Sequence, residues 1–428
     1  MQEIDKKAKK DFERQYKVLW YERKRRKWPF ILYGVLFVLL VAGFIVAGTE
    51  AGRRKAVEIA VKAALSGVNS DFDNKDKAPT KPLEKNDTLN ETPTPVPAEE
   101  DTSEDDNVDW VVKANVEEDQ TEIIGFTKDG DGNFVPFPAV VKPDVIHEPD
   151  ANVINVLLIG AENLKNQEFG RSDSMMIASV NVSEGTFKII SLMRDMFVRI
   201  PEIEDEVTYG KLNASYAHGG PELLMDTVAL NFGIQCDSYV VVDFDAFEKI
   251  IDLMGGVEIS LTSAEAKYLN TTNYISKKEY RNVVSGKQIL NGNQALGYCR
   301  VRKVAASNGM QSDNGRVYRQ GLVVNSLFNK MQSADLFKLW SIYTTAIDYV
   351  IIPADQKEQI EKMCTECINI YLNNRTKGTN MTLERSKIPI KDHYKALDFY
   401  RAADPSLQRS EVVVWDEENI KYIYDFLY

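Results

Sequence analysis

Residues 153–160 read VINVLLIG, six apolar side chains interrupted only by Asn155 and closed by Gly160. A short apolar run with no polar alternate face, ended by glycine, suits a strand buried on both sides. Two similar runs follow, Met175 to Val182 and Phe187 to Met193, separated by a turn at Ser183 to Thr186. Further strands are predicted at Tyr239–Val242, Val257–Leu261 and Glu411–Trp415. Helical patterns alternate with them. Gly219-Gly220-Pro221 opens one, with proline in the first turn, that runs to Phe232. Asp243 caps another to Met254, which Gly255-Gly256 ends. Leu336–Tyr349 and Ala354–Leu372 read as helices, and Asp416 caps a last one. The pattern predicts an α/β domain over 151–428, a central mixed sheet with helices on both faces.

Upstream, residues 108–150 regain aromatic and β-branched side chains around a DGDG turn at Asp129 to Gly132, and read as a hairpin leading into that domain. Residues 49–107 open with a short helical pattern, Glu50 to Leu65, and then become rich in Asp, Glu, Pro and Thr. Such a segment buries too little apolar surface to offset the entropy of ordering, so it reads as a disordered acidic tether. Its reach is about a few tens of Å. Residues 29–48, PFILYGVLFVLLVAGFIVAG, are twenty uncharged residues. At 1.5 Å per residue they span about 30 Å, the thickness of bilayer hydrocarbon, and predict one transmembrane helix. The basic cluster from Arg23 to Lys27 abuts that span, which puts residues 1–28 in the cytoplasm and the rest of the chain outside. Positive-inside topology accounts for this basic arm without nucleic-acid binding.

The chain carries a net charge of -12, but unevenly. Residues 1–29 carry +6 and residues 71–119 carry -11, so the overall acidity says little about what the folded part binds. Against that background, Gly297–Gln320 (GYCRVRKVAASNGMQSDNGRVYRQ) holds Arg300, Arg302, Lys303, Arg316 and Arg319 against one acid, Asp313. Arg300 and Arg302 alternate as on an extended segment and would share a side there. Asp313, Arg316 and Gln320 fall on one helical face, with Val317, Gly321, Val324, Phe328 and Met331 forming an apolar one. Converging guanidinium forks describe a site for a multiply charged anion, whereas a solvated basic surface is the plainer reading. Arg171, Asp173, Arg194 and Glu162 lie at the mouths of predicted strands, where α/β proteins place ligands. Glu162 and Asp173 offer the hard oxygens that Mg²⁺ prefers. Neither GxxxxGK[ST] nor GxGxxG is present, which argues against ordinary nucleotide binding. The four cysteines, Cys236, Cys299, Cys364 and Cys367, have no histidines placed to make a zinc site or a Cys/His nucleophile.

Seven blocks in order, INVLLIG, GRSDSMMIASVN, IISLMRD, KLNASYAHGGPELLMDTV, YVVVDFDAFEKIIDLMGGVEI, LNGNQALGYCRVR and DNGRVYRQ, resemble the LytR-CpsA-Psr family. They cover Ile154 to Met331. The resemblance implies a membrane-anchored, outward-facing phosphotransferase of a Gram-positive-type envelope. Such an enzyme moves a glycopolymer from an undecaprenyl-pyrophosphate carrier to peptidoglycan, at the 6-hydroxyl of N-acetylmuramic acid. It also implies that Arg171, Arg194, Arg300, Arg302, Arg316 and Gln320 contact the pyrophosphate, with Arg319 an additional basic position and Lys211 bordering the site. Asp173 would hold Mg²⁺ or Mn²⁺, and Asp313 would be the acid tied to activity, catalytic together with Arg194, Arg300 and Arg302. Glu162 stands where the family has Asp. A polyprenyl tail would require a dry groove, with the apolar faces of 221–232 and 244–254 as candidate walls. Two other readings remain open on the residues: a polyprenyl-pyrophosphate pyrophosphatase, and a membrane-tethered regulator of the envelope without turnover.

Overall fold

A computed structural model describes residues 50–65, 111–113, 124–147, 150–161, 170, 172–203, 206–346, 349–353, 356–401 and 410–428. The basic tail and the expected span 29–48 lie outside them. Among the described residues no helix is long and apolar enough to cross a membrane.

In chain order the elements are α1 (Glu50–Leu65), β1 (Val111–Lys113), β2 (Phe126–Lys128), β3 (Phe134–Pro136), β4 (Val153–Ala161), β5 (Ser172–Asn181), β6 (Thr186–Leu192), β7 (Phe197–Ile203) and β8 (Glu206–Lys211). There follow α2 (Leu212–Phe232), β9 (Ser238–Val242), α3 (Phe244–Leu253), β10 (Val257–Leu261), α4 (Ser263–Thr271), β11 (Gly286–Leu290), α5 (Gly292–Arg300) and α6 (Ser312–Ser333). The chain closes with α7 (Leu336–Ala346), β12 (Val350–Ile351), α8 (Lys357–Lys377), β13 (Leu383–Ile388), β14 (Tyr394–Phe399), β15 (Ser410–Trp415) and α9 (Glu418–Leu427).

Six strands form the central sheet in the order β12-β9-β4-β5-β6-β13. Pairs β9–β4 and β6–β13 are parallel and the others antiparallel, so the predicted mixed sheet is present. The alternation in β4 explains its sequence. Leu157 and Ile159 face the core that Leu224, Val228 and Phe232 of α2 and Ile423 and Leu427 of α9 complete. Ile154 and Val156 face the opposite layer, with Val57 and Val61 of α1 and Ile360 of α8. Both faces are dry, which is why no polar alternate was needed. Burying a side chain such as Leu157 stabilises the domain by about 2 kcal/mol.

Several boundaries differ from the reading of the sequence. Helix α1 lies inside the stretch read as tether from 49, yet it packs on α8, where Arg54 stands 3.5 Å from Glu366. Helix α2 starts nine residues before Pro221, at Leu212, and breaks at Gly219 and Gly220. Gly220 takes a φ of 68°, which a side chain would resist, so the proline opens the second half of a kinked helix. Asp416 does not cap α9 through its side chain. Its Oδ2 instead lies 2.9 Å from Nδ1 of His393.

A second core, built by β10, β11, α3, α4 and α5, joins the sheet through α6. Along α6, Val317 enters the first core and Val323 the second, while Phe328 packs edge-on against Phe187 of β6. Of the predicted apolar face Val317 and Phe328 are buried, Gly321 and Val324 half-buried and Met331 exposed, while the buried valine of the middle turn is Val323. Arg319, fully buried on α6, locks the two bodies together. Its Nε donates to Glu265 Oε1 at 2.8 Å, and its Nη1 and Nη2 donate to the carbonyls of Val301 and Val304 at 3.0 and 2.6 Å. The other Glu265 oxygen accepts from the Thr262 amide at 2.9 Å, closing a capping box on α4. The expectation that Arg319 meets pyrophosphate is thus corrected, since every direction its fork points is taken by the protein.

Removing one partner of such a pair strands a buried charge, so Arg319→Ala should lose about 3–5 kcal/mol of stability by denaturant unfolding. An Arg319→Ala protein that melts like the wild type but fails to bind a diphosphate would return this residue to the ligand set.

Candidate active site

One edge of the sheet collects the end of β4, the start of β5, and the ends of β6, β9 and β13, because antiparallel pairing sets Met175 opposite Leu192 and parallel pairing sets Ile388 beside Leu192. The turn after β6 supplies Arg194 and Asp195, the start of β5 supplies Asp173 and Ser174, and α6 approaches with Asp313, Arg316 and Gln320 on one face. Ser174 Oγ donates to Gln320 Oε1 at 3.3 Å, which fixes α6 against β5.

Asp313 is the hub. Its Oδ1 lies 2.7 Å from Arg316 Nη2, 3.8 Å from Arg194 Nε and 3.8 Å from Arg302 Nε. Asp173 Oδ1 is shared by Arg194 Nη1 at 3.3 Å and Arg316 Nη1 at 3.4 Å. Neither oxygen of Asp313 receives a well-aligned hydrogen bond, although both are buried. The carboxylate is therefore compensated by charge and still able to accept a proton donor. Burial alone would weaken the positive charge on Arg316, and Asp313 opposes that.

Lys211, at the end of β8, reaches the cluster through Asp195, whose Oδ1 it meets at 3.1 Å. Arg194 Nε stands 3.4 Å from the other oxygen of that acid. Burial pushes the Asp195 carboxyl up, but Arg194 and Lys211 more than reverse this and hold it below the usual carboxylate range. Asp195 has no role in the reading of the sequence; its place directly after Arg194 is the available signal.

The other expectations divide. Arg300 is the last residue of α5, not part of an extended pair with Arg302, and its guanidinium lies 4.9 Å over the Phe244 ring rather than against the site's carboxylates. Helix geometry ends at Val301, so the two arginines point from different backbone. Glu162 and Arg171 fall outside the described residues. The helix faces proposed as groove walls are largely occupied by packing, with Leu224, Val228 and Phe232 in one core and Ile251 in the other. Surface depressions of about 310 and 300 Å³ lie around Asp398 and around Lys330, and neither borders the arginines. Burial raises the thiols of Cys236 and Cys299 to about 12 and that of Cys364 to about 11, and raises Cys367 further, which suits packing rather than nucleophilic attack.

Among the described residues, no three His, Cys, Asp or Glu side chains converge to cage a metal. Mg²⁺ asks for less, one or two carboxylates completed by substrate phosphates and water. Asp173 fits that role through Oδ2, since its two arginine neighbours engage Oδ1.

The sequence model of the LytR_cpsA_psr family matches residues 128–411. Regulatory protein MsrR of Staphylococcus aureus (strain COL) is 35% identical over 180 residues, 42% of this chain and 49% of MsrR. Polyisoprenyl-teichoic acid--peptidoglycan teichoic acid transferase TagV of Bacillus subtilis (strain 168) is 32% identical over 181 residues, 42% of this chain and 44% of TagV. The chain spans about half the length of the curated relatives it matches. A crystal structure of TagV from Bacillus subtilis superposes with a TM-score of 0.48 at 25% identity, covering 65% of this chain and 97% of that one. With the family model matched over most of the chain, this protein belongs to the LytR-CpsA-Psr family.

Proposed function

We propose that this protein transfers a glycopolymer from an undecaprenyl-pyrophosphate carrier to peptidoglycan, forming a phosphodiester at the 6-hydroxyl of N-acetylmuramic acid. The observation that carries the reading is the meeting of Arg194, Arg302 and Arg316 around Asp313 at one sheet edge. The teichoic acid transferase name of TagV supports the substrate class. The segment 29–48 would anchor the chain in the membrane, with residues 1–28 inside and the domain facing the carrier outside.

In this mechanism the sugar hydroxyl attacks the phosphorus that bears the glycan. An O–P bond forms, the bond to the bridging oxygen breaks, and polyprenyl phosphate leaves. Arg194, Arg302 and Arg316 position the diphosphate and stabilise the charge that builds on its oxygens. Asp313 accepts the proton of the hydroxyl, which its free acceptor positions permit. Mg²⁺ or Mn²⁺ held by Asp173, with Glu162 as the second acid, would supply further charge neutralisation. Arg300, over the Phe244 ring, would add charge from α5, and Gln320 holds its register through Ser174.

Incubating the full chain in detergent with lipid-linked glycan and peptidoglycan oligomers should yield a conjugate. Release of glycan phosphate without conjugate would instead identify a pyrophosphatase, and no turnover of either kind a regulator. Arg302→Ala should lower kcat/KM for transfer by about a hundredfold while melting with the wild type, as one charge-stabilising donor is lost. Asp313→Asn should reduce kcat by about a hundredfold or more yet bind the diphosphate donor at least as tightly, because the proton acceptor and a repelling negative charge go together. Calorimetric titration beside the transfer assay separates the two effects; weaker donor binding by Asp313→Asn would contradict the assignment.

A further inference from the structure

The cluster's own charge is nearly balanced. Arg194, Arg302, Arg316 and Lys211 each stand within 4.0 Å of a carboxylate, and the carboxylates involved are Asp173, Asp195 and Asp313. Among the described residues, four cations against three anions leave a single positive charge for a diphosphate of higher charge. Another source of positive charge is close by. Lys387, near the end of β13, donates through Nζ to Asn314 Oδ1 on α6, one residue from Asp313. Asn314 Nδ2 in turn donates to the Tyr394 hydroxyl at 3.3 Å, and the Lys387 ammonium lies 6.0 Å over the Tyr394 ring.

This ammonium differs from the others at the site. Among the described residues no carboxylate approaches it within 4.0 Å, although its side chain is half-buried. Burial lowers its pKa below that of an ordinary lysine, and the field of Asp313 opposes that shift. A partly desolvated cation without an ion-pair partner is costly to keep in a protein unless an anion completes it. Its neighbours fix where it points: an amide oxygen that takes one of its three protons and an aromatic face that tolerates the charge.

We infer that Lys387 is a further anion ligand of this site, contributing its ammonium to the phosphoryl oxygens of the pyrophosphate donor, with Asn314 and Tyr394 as its positioning residues. The inference rests on the diphosphate reading above. It adds a ligand from β13, beyond the span of the sequence blocks that carried the resemblance. One strand thereby serves both as the edge of the central sheet and as a wall of the site.

The test titrates farnesyl pyrophosphate and farnesyl monophosphate into the full chain in detergent, for the wild type, Lys387→Gln, Lys387→Arg and Arg302→Ala. Lys387→Gln should bind the diphosphate about ten- to a hundredfold more weakly and lose part of its preference over the monophosphate, while Lys387→Arg stays within about threefold. Lys387→Gln should also melt no lower than the wild type, since it relieves an uncompensated charge. Undiminished diphosphate binding by Lys387→Gln, in the assay where Arg302→Ala loses it, would overturn the role of Lys387 alone. A melting point several degrees lower would make the lysine structural and overturn it too. Retention of binding by both variants would remove the diphosphate site itself, and this inference with it.

Discussion

Three guanidinium groups gathered within 4 Å of one carboxylate oxygen form an arrangement that no local preference of the chain would produce. Their mutual repulsion has to be borne by the scaffold, and the scaffold is organised to bear it. Arg194 is held by the turn after an interior strand, Arg316 by a helix in contact with both cores, and Arg302 by a loop whose carbonyls are bound from beneath. Asp313 and Asp173 lessen the repulsion without cancelling it. What remains is a small excess of positive charge at a fixed place, oriented before any substrate arrives.

That preorganisation makes the two cores interdependent. The sheet and its covering helices position Arg194 and Asp173, while the smaller core of β10, β11, α3, α4 and α5 carries Arg300 and presents Arg302. Helix α6 belongs to both. A shift of that helix would move Asp313, Arg316 and Gln320 together, so the packing of Val317, Val323 and Phe328 and the bond from Ser174 to Gln320 act on the chemistry without touching it.

Legibility of the sequence followed the range of the interaction. VINVLLIG announced a strand dry on both faces because the information is local, and Asp313, Arg316 and Gln320 announced one face because a helix repeats every 3.6 residues. The chain neighbours of Arg319 look like those of a ligand, whereas its place is decided by Glu265, 54 residues away. The RxR spacing suits extended backbone, but capping by Asn291 and Gln294 starts a helix that ends only at Arg300. Lys387 carried no signal: a single lysine in a strand becomes part of a site only once parallel pairing brings β13 beside β6.

The double duty of Glu265 has a consequence for how this protein can drift. One oxygen closes the first turn of α4 and the other neutralises Arg319, so neither half of the side chain is spare. Shortening it to Asp would loosen both attachments, and an amide there would keep the turn but leave the guanidinium without its counter-charge. A change at 265 or 319 alone therefore strands a buried charge, so the seam between α4 and α6 tolerates replacement only of both partners together.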